Sequence, residues 1–260
     1  MRIVLANITA IYQRELQSYF ASPLAYSIAG IFWFLSGFFF ILILQNWIAN
    51  AAALTLQQQS LDMSGLILQD FLGVLSFLSL FILPALSMGL YTEERKRGTL
   101  ELLATSPMTN WAVAVGKWLA VLTFFITLLV PLMAYEAIVL GTSTPPLPLA
   151  LPLLGHLGLI LMAAAILSLG MFISSLTESI VVSAILTFTL VLLLWVIDGI
   201  ARIIPGPVGE ALSHLSLLKH YNTLSQGMID LGGWVLFASY IVLGVFLTAQ
   251  SIETLRFQRS

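Results

Sequence analysis

Six long apolar runs decide what this chain can fold into. They cover residues 24–47, 66–91, 111–140, 151–176, 180–197 and 234–252. A helical bilayer span takes about 20 mostly apolar residues. Lipid offers the backbone no hydrogen-bond partners, so such runs cross as helices that satisfy their own N–H and C=O groups. Charged residues make up only 8% of the chain, against roughly 25% in a soluble domain. That is too few to clothe a water-facing surface. The fold class expected is therefore all-α: a polytopic membrane protein with six transmembrane helices in a single domain over 1–260.

The cations set the orientation, because Lys and Arg in short loops stay on the cytoplasmic side. Arg2, Arg14, Arg95, Lys96, Arg97, Lys117, Arg256 and Arg259 fall on one side of the six-span arrangement, and only Arg202 and Lys219 on the other. Both termini are expected in the cytoplasm. The opening residues carry Arg14 and Glu15 and lack a cleavage site after an apolar core, so they do not read as a signal peptide. Residues 1–23 instead place Val4, Ile8, Ile11, Tyr12, Tyr19 and Phe20 at helical spacing among polar residues, the pattern of an amphipathic helix at the membrane interface. Ser22-Pro23 would turn it into the first span. "TES" at 177–179 leaves room for only a tight hairpin between the fourth and fifth spans. Residues 142–152 form a Pro-rich outer loop. Residues 199–232 break at Pro205-Gly206-Pro207 and resume a helical pattern, expected as a re-entrant outer segment buried by protein.

Several function classes drop out. The net charge is −2 with no basic stripe outside one cluster, so no nucleic-acid footprint exists. No G-x-x-x-x-G-K-[ST], H-E-x-x-H or G-x-S-x-G occurs. The chain is expected to be no enzyme, to bind no nucleotide and to need no cofactor or metal. The chain has no cysteine. His156, His214 and His220 lack metal-ligand spacing and read as structural or interfacial. Glu136 is the one carboxylate well inside an apolar run, and an ionisable residue in a span is a functional candidate by default. It lies roughly 37 Å along its helix from Trp111 at 1.5 Å per residue, which favours an interfacial or outer-vestibule role over a proton or substrate relay. Asp198 at the end of the fifth span reads the same way.

The densest charge sits where it is least expected. Glu93, Glu94, Arg95, Lys96, Arg97 and Glu101 fall within nine positions between the second and third spans. A topology anchor needs only the three cations, and the acids add little to it. It also leaves "GTLELLATSP" unexplained. Gly98 can end the second helix, and Thr99 can cap a short helix with Leu100, Leu103 and Ala104 on one face. Ser106-Pro107 would close it. A short surface helix with an apolar patch and a charged collar is suited to docking on a partner protein.

On these segments the chain resembles the permease subunits of ABC exporters of the ABC-2 type. "EERKRGTLELLATSP" (93–107) with Gly116-Lys117 is similar to that family's segment between the second and third spans. "QRELQSYFASPLAY" (13–26), "SSLTESIVVSAIL" (174–186) and "LLKHYNTLSQGMID" (217–230) resemble the branch of gliding-motility permeases and nitrous-oxide-reductase maturation permeases. The resemblance covers nearly the whole chain.

It implies a bacterial inner-membrane protein coupled to a separate ATP-binding subunit, with two permeases and two ATPases per transporter. The loop 92–110 would carry the coupling helix. Its site residues would be Glu93, Glu94, Arg95, Arg97, Gly98, Thr99, Leu100, Glu101, Leu103, Pro107 and Lys117, with Glu93, Glu94 and Lys117 pairing across the helix ends. The second permease would be an identical copy or a paralogue, meeting this one through the first and fifth spans. Ala25, Ala29, Gly30, Ser36 and Gly37 would allow close approach there. The alternative is a membrane subunit that moves no solute and relays ATPase strokes to a periplasmic partner.

Overall fold

The computed structural model describes residues 2–56, 62–99, 109–143 and 147–257. Among these are ten helices: α1 (Arg2–Ala21), α2 (Pro23–Leu56), α3 (Met63–Ser87), α4 (Thr92–Lys96), α5 (Asn110–Leu140), α6 (Ala150–Leu176), α7 (Ile180–Ala201), α8 (Pro207–His214), α9 (Leu217–Ser225) and α10 (Leu231–Phe257). The described residues contain no strand. Six helical stretches, those of α2, α3, α5, α6, α7 and α10, are long and apolar enough to span a bilayer. The chain is thus an all-helical polytopic membrane protein, as the apolar runs predict.

The helix starts are written locally. The carboxylate of Asp62 accepts the Gly65 N–H at 3.0 Å and opens α3. Thr109 caps α5 through the Ala112 N–H, Ser179 caps α7 through the Val182 N–H, and Ser216 caps α9 through the Lys219 N–H. Each such cap satisfies one of the N–H groups that a helix start leaves orphaned. Asp230 opens α10 by accepting the Gly232 and Gly233 N–H groups at 2.9 and 3.1 Å.

The bundle is built around α6. It packs against α3, α4, α5, α7, α9 and α10, and 78% of its apolar window is buried, against 17% for α7. Its small residues make this possible. Ala163, Ala165 and Ser168 are fully buried, and α10 comes so close that a Cβ on Gly244 would lie 2.5 Å from the Ser168 backbone. Side-chain hydrogen bonds tie the layers. Trp118 Nε1 donates to Ala164 O at 2.9 Å, Ser168 Oγ to Tyr240 O at 3.1 Å, and the Tyr221 hydroxyl to Leu72 O at 2.7 Å. In a bilayer such a bond contributes on average about 0.6 kcal/mol.

Several boundaries differ from the sequence reading. α2 runs on to Leu56, α7 to Ala201, and α10 spans Leu231–Phe257. The regular helix α3 ends at Ser87 although its apolar stretch runs on past it, for a specific reason. The N–H groups of Tyr91 and Thr92 go to Ser174 Oγ at 3.0 and 3.1 Å, so they are lost to the carbonyls one turn back. Between the fifth and sixth spans the chain forms two short helices. Gly206 breaks the chain at φ +89° and Pro207 starts α8. α9 buries Leu217, Tyr221 and Leu224 among α3, α6 and α7. Of the five small residues on the first span, Ala25, Ala29 and Ser36 are buried within this chain's own bundle, and only Gly30 and Gly37 face open space.

Candidate functional site

The charge cluster builds a junction of four helices. α4 carries Glu93, Glu94, Arg95 and Lys96. It closes with Gly98 at φ +69°, where the Gly98 N–H donates to Arg95 O and the Thr99 N–H to Glu94 O. This double bond around a left-handed residue is a Schellman closure, and glycine adopts that conformation without a Cβ penalty. The Thr99 hydroxyl donates back to Glu94 O at 3.2 Å, which ties it to α4. Leu100, Glu101, Leu103 and Pro107, and with them the expected coupling helix beyond Thr99, lie outside the described residues.

Lys117 is the centre. Its side chain is 3% exposed. Its Nζ donates to Glu15 Oε1 at 3.0 Å, to Glu94 Oε1 at 3.1 Å and to Leu90 O at 3.0 Å. An ammonium has three N–H donors, and all three are used. The Tyr91 ring lies 5.1 Å from the same nitrogen. Glu94 belongs to α4, Lys117 to α5 and Glu15 to α1, so one cation joins three elements. The neighbouring Gly116 lets α1 approach: a Cβ there would lie 2.8 Å from an Ile11 methyl and 3.1 Å from Ile8 O.

Glu93 does not reach Lys117. It pairs with Arg97 at 3.6 Å on an exposed face. The second acid on Lys117 is Glu15, from a segment 102 residues away. Sequence reasoning missed it. The available signal was a lone acid in an otherwise basic N-terminal helix.

A second set of contacts fixes α4 to the end of α6. Ser174 Oγ accepts from the Tyr91 and Thr92 N–H groups and itself donates to Met88 O at 3.0 Å. The Thr92 hydroxyl contacts Met88 O and Ser174 O at 2.8 and 3.1 Å. Arg95 Nη1 donates to Ser175 O at 2.6 Å, with Glu178 3.7 Å from its Nε. Ser174, Ser175 and Thr92 were not singled out from sequence, because hydroxyls in an apolar run give no periodic signal. On the α1 side the Tyr19 hydroxyl donates to Leu86 O at 2.8 Å. Burial, with the Glu15 and Glu93 carboxylates nearby, pushes that hydroxyl well above the ordinary tyrosine range and keeps it neutral. Beside these groups a cavity of about 600 Å³ opens, with Glu15, Glu94 and Arg97 on its polar wall and Leu24 and Ile28 on its apolar wall.

This junction ties residues 91–99 to three helices of the bundle. Through Lys117, Glu94 is joined to α5 and α1, while Thr92 and Arg95 bond the end of α6. Among the described residues no group of three or more His, Cys, Asp or Glu side chains could hold a metal ion. At the far end of the bundle, Glu136 is buried inside the protein, not in an outer vestibule, and faces His156 at 3.4 Å. Asp198 accepts from Arg202 Nη2 at 2.7 Å. His220 lies between Asp230, 3.0 Å from its Nδ1, and His214 O, 3.2 Å from its Nε2.

No curated protein matches the chain. A family model does: the one described as ABC-2 family transporter protein matches residues 31–260.

Proposed function

The chain belongs to the ABC-2 transporter family, whose members are multi-pass, non-catalytic membrane subunits of ABC transporters, and from that premise we propose how this permease is driven. A separate ATP-binding subunit docks on residues 98–106, with Leu100 and Leu103 as the buried contacts. Its closure moves α4, and α4 moves the spans. The direction is export. Two permeases and two ATPases form the working unit in a bacterial inner membrane, with both termini cytoplasmic, α1 lying at the interface and α9 re-entrant from the outside. The segments 13–26, 174–186 and 217–230 favour the gliding-motility and nitrous-oxide-reductase maturation branch.

One observation carries this reading: residues 91–99 are held to α1, α5 and α6 at once through Lys117, Ser174 and Arg95. A topology anchor has no use for that, since surface charges alone suffice for it. Two variants test it. Leu103→Glu puts a charge on the docking face and is expected to release the ATPase during co-purification. Glu94→Ala is expected to keep the ATPase bound while its hydrolysis no longer drives transport. Wild-type recovery of the ATPase with Leu103→Glu would remove residues 98–106 as the docking site.

A further inference from the structure

The buried pair at the other end of the bundle has a chemistry that the coupling mechanism does not use. Glu136 sits in the last turns of α5 and His156 in the first turns of α6. Their side chains are 3% and 2% exposed. His156 Nδ1 lies 2.8 Å from Pro152 O. A carbonyl can only accept, so Nδ1 carries a hydrogen and the remaining acid–base capacity of the ring is at Nε2. Nε2 faces Glu136 Oε1 at 3.4 Å. Both carboxylate oxygens and Nε2 are buried and lack a formed hydrogen bond among the described residues.

Three protonation states are open to such a pair. With no proton on the axis, two lone pairs face each other and a bare carboxylate is buried. With two, a bare imidazolium is buried. With one, held as carboxyl-to-imidazole or carboxylate-to-imidazolium, the pair is neutral overall. An uncompensated buried charge costs several kcal/mol, so the one-proton state is favoured. Among the described residues the surroundings supply no other counter-charge, and Lys219 on α9 is spent on Ser213 Oγ at 2.8 Å. α2 contributes no charged residue, and neither does α10 from Leu231 to Ser251. Asp70 on α3 is exposed and accepts from Trp47 Nε1. The hydroxyls of Tyr221 on α9 and Tyr240 on α10 are committed to Leu72 O and Leu215 O. Tyr135, beside Glu136, is uncharged. Asp198 on α7 is taken by Arg202, and His220 on α9 by Asp230. Lys117, Glu15 and Glu94 sit about 28 Å along α5, at 1.5 Å per residue.

The geometry points to a proton-binding site: Glu136 and His156 hold one proton between Oε1 and Nε2, inside the bundle, joining α5 to α6. One proton leaves the pair neutral, whereas losing it or gaining a second buries an uncompensated carboxylate or imidazolium between the outer ends of the two helices. Proton occupancy therefore sets how stably the two helix ends pack together. This inference does not depend on how the ATPase docks.

The test uses the full chain, purified in detergent, with ¹⁵N-labelled histidine. The His156 signals are assigned by their loss in His156→Gln. In the wild type between about pH 5 and 8, Nε2 is expected to resonate as a nitrogen that shares or carries a proton. In Glu136→Gln it is expected to shift to the position of a bare imidazole nitrogen, since an amide supplies no titratable proton. Thermal unfolding is followed in parallel. The wild type is expected to lose melting temperature as alkaline pH strips the proton, and Glu136→Gln to lack that step. A bare Nε2 in the wild type across this range, with unfolding profiles that superimpose on those of Glu136→Gln, overturns the proposal. So does a melting temperature that responds to sodium in place of choline while Nε2 stays bare, because the site would then hold a metal cation. Should His156→Gln fail to fold, Glu136→Gln carries both readouts.

Discussion

Lys117 shows how much a single position can contribute in this setting. It is a cation held by two carboxylates, with Glu15 and Glu94 at 15% and 16% side-chain exposure. Removing one member of a buried ionic group costs roughly 3–5 kcal/mol, because the remaining charge stays buried. Lys117→Met leaves two like charges facing each other and is expected to fall in that range by chemical or thermal unfolding in detergent. The triple variant Lys117→Met, Glu94→Gln, Glu15→Gln removes the charges together and is expected to recover much of the loss. If the triple variant is no more stable than Lys117→Met, the acids are not what makes that single change costly. A charge swap between 94 and 117 is expected to recover less than the triple variant, since it abandons the bond from Lys117 to Leu90 O. The half of this site drawn from the loop was legible in sequence, because charges in an apolar chain stand out. Glu15 was not, since nothing local says which helix α1 will lie against. That is decided by Gly116, whose missing side chain admits Ile8 and Ile11.

Among the elements, α4 and α10 owe their starts to neighbours as well as to their own sequences. α4 begins where it does because Ser174 takes two backbone N–H groups that a continued α3 would have used. A buried amide left without its acceptor costs about 1–3 kcal/mol. Ser174→Ala is therefore expected to raise amide hydrogen exchange across residues 91–97 while the core of α6 stays protected. Unchanged exchange there would mean that Arg95 alone fixes α4. α10 begins at Asp230, whose carboxyl is held below the usual range first by the Gly232 N–H, then by His220 and the Gly233 N–H, against a smaller opposing effect of desolvation. A depressed folded-state value means that this cap stabilises the fold above the unfolded-state value and is lost as pH falls through the folded one. Asp230→Asn is expected to flatten that acid limb of the unfolding profile; an identical limb in both proteins would assign it to other carboxylates. The spans themselves were legible because hydropathy alone decides them. Their ends were not. A helix stops where some other group takes its hydrogen bonds, and at α3 that group is 82 residues further along the chain.

At the scale of the whole molecule the apolar surface is unevenly spent. α6 is wrapped on nearly all sides, but the spans of α2 and α7 have only 28% and 17% of their apolar windows buried. An isolated copy leaves Phe34 and Ile41 on α2, and Val182, Ile185, Leu186 and Leu193 on α7, facing outward. Lipid can cover such faces, as can a second permease. The two coverings differ in what they ask of the helix. Lipid tolerates any apolar outline, whereas helix–helix contact in a membrane depends on small residues that let backbones meet. Gly30 and Gly37 are two turns apart on α2 and both face open space, while Ala25, Ala29 and Ser36 are buried in the bundle. A second permease packing on α2 would thus meet a narrower surface than the sequence suggests, centred on those glycines. The chain has no cysteine, so single cysteines report without background. Phe34→Cys beside the glycines, paired with Leu186→Cys or Leu193→Cys on α7, is expected to give an oxidant-dependent band at twice the subunit mass in native membranes. Ala163→Cys in the buried centre of α6 is expected to give none. Cross-linking confined to Val235→Cys or Val242→Cys on the exposed face of α10 would instead put the second permease against the sixth span and leave α2 and α7 to lipid.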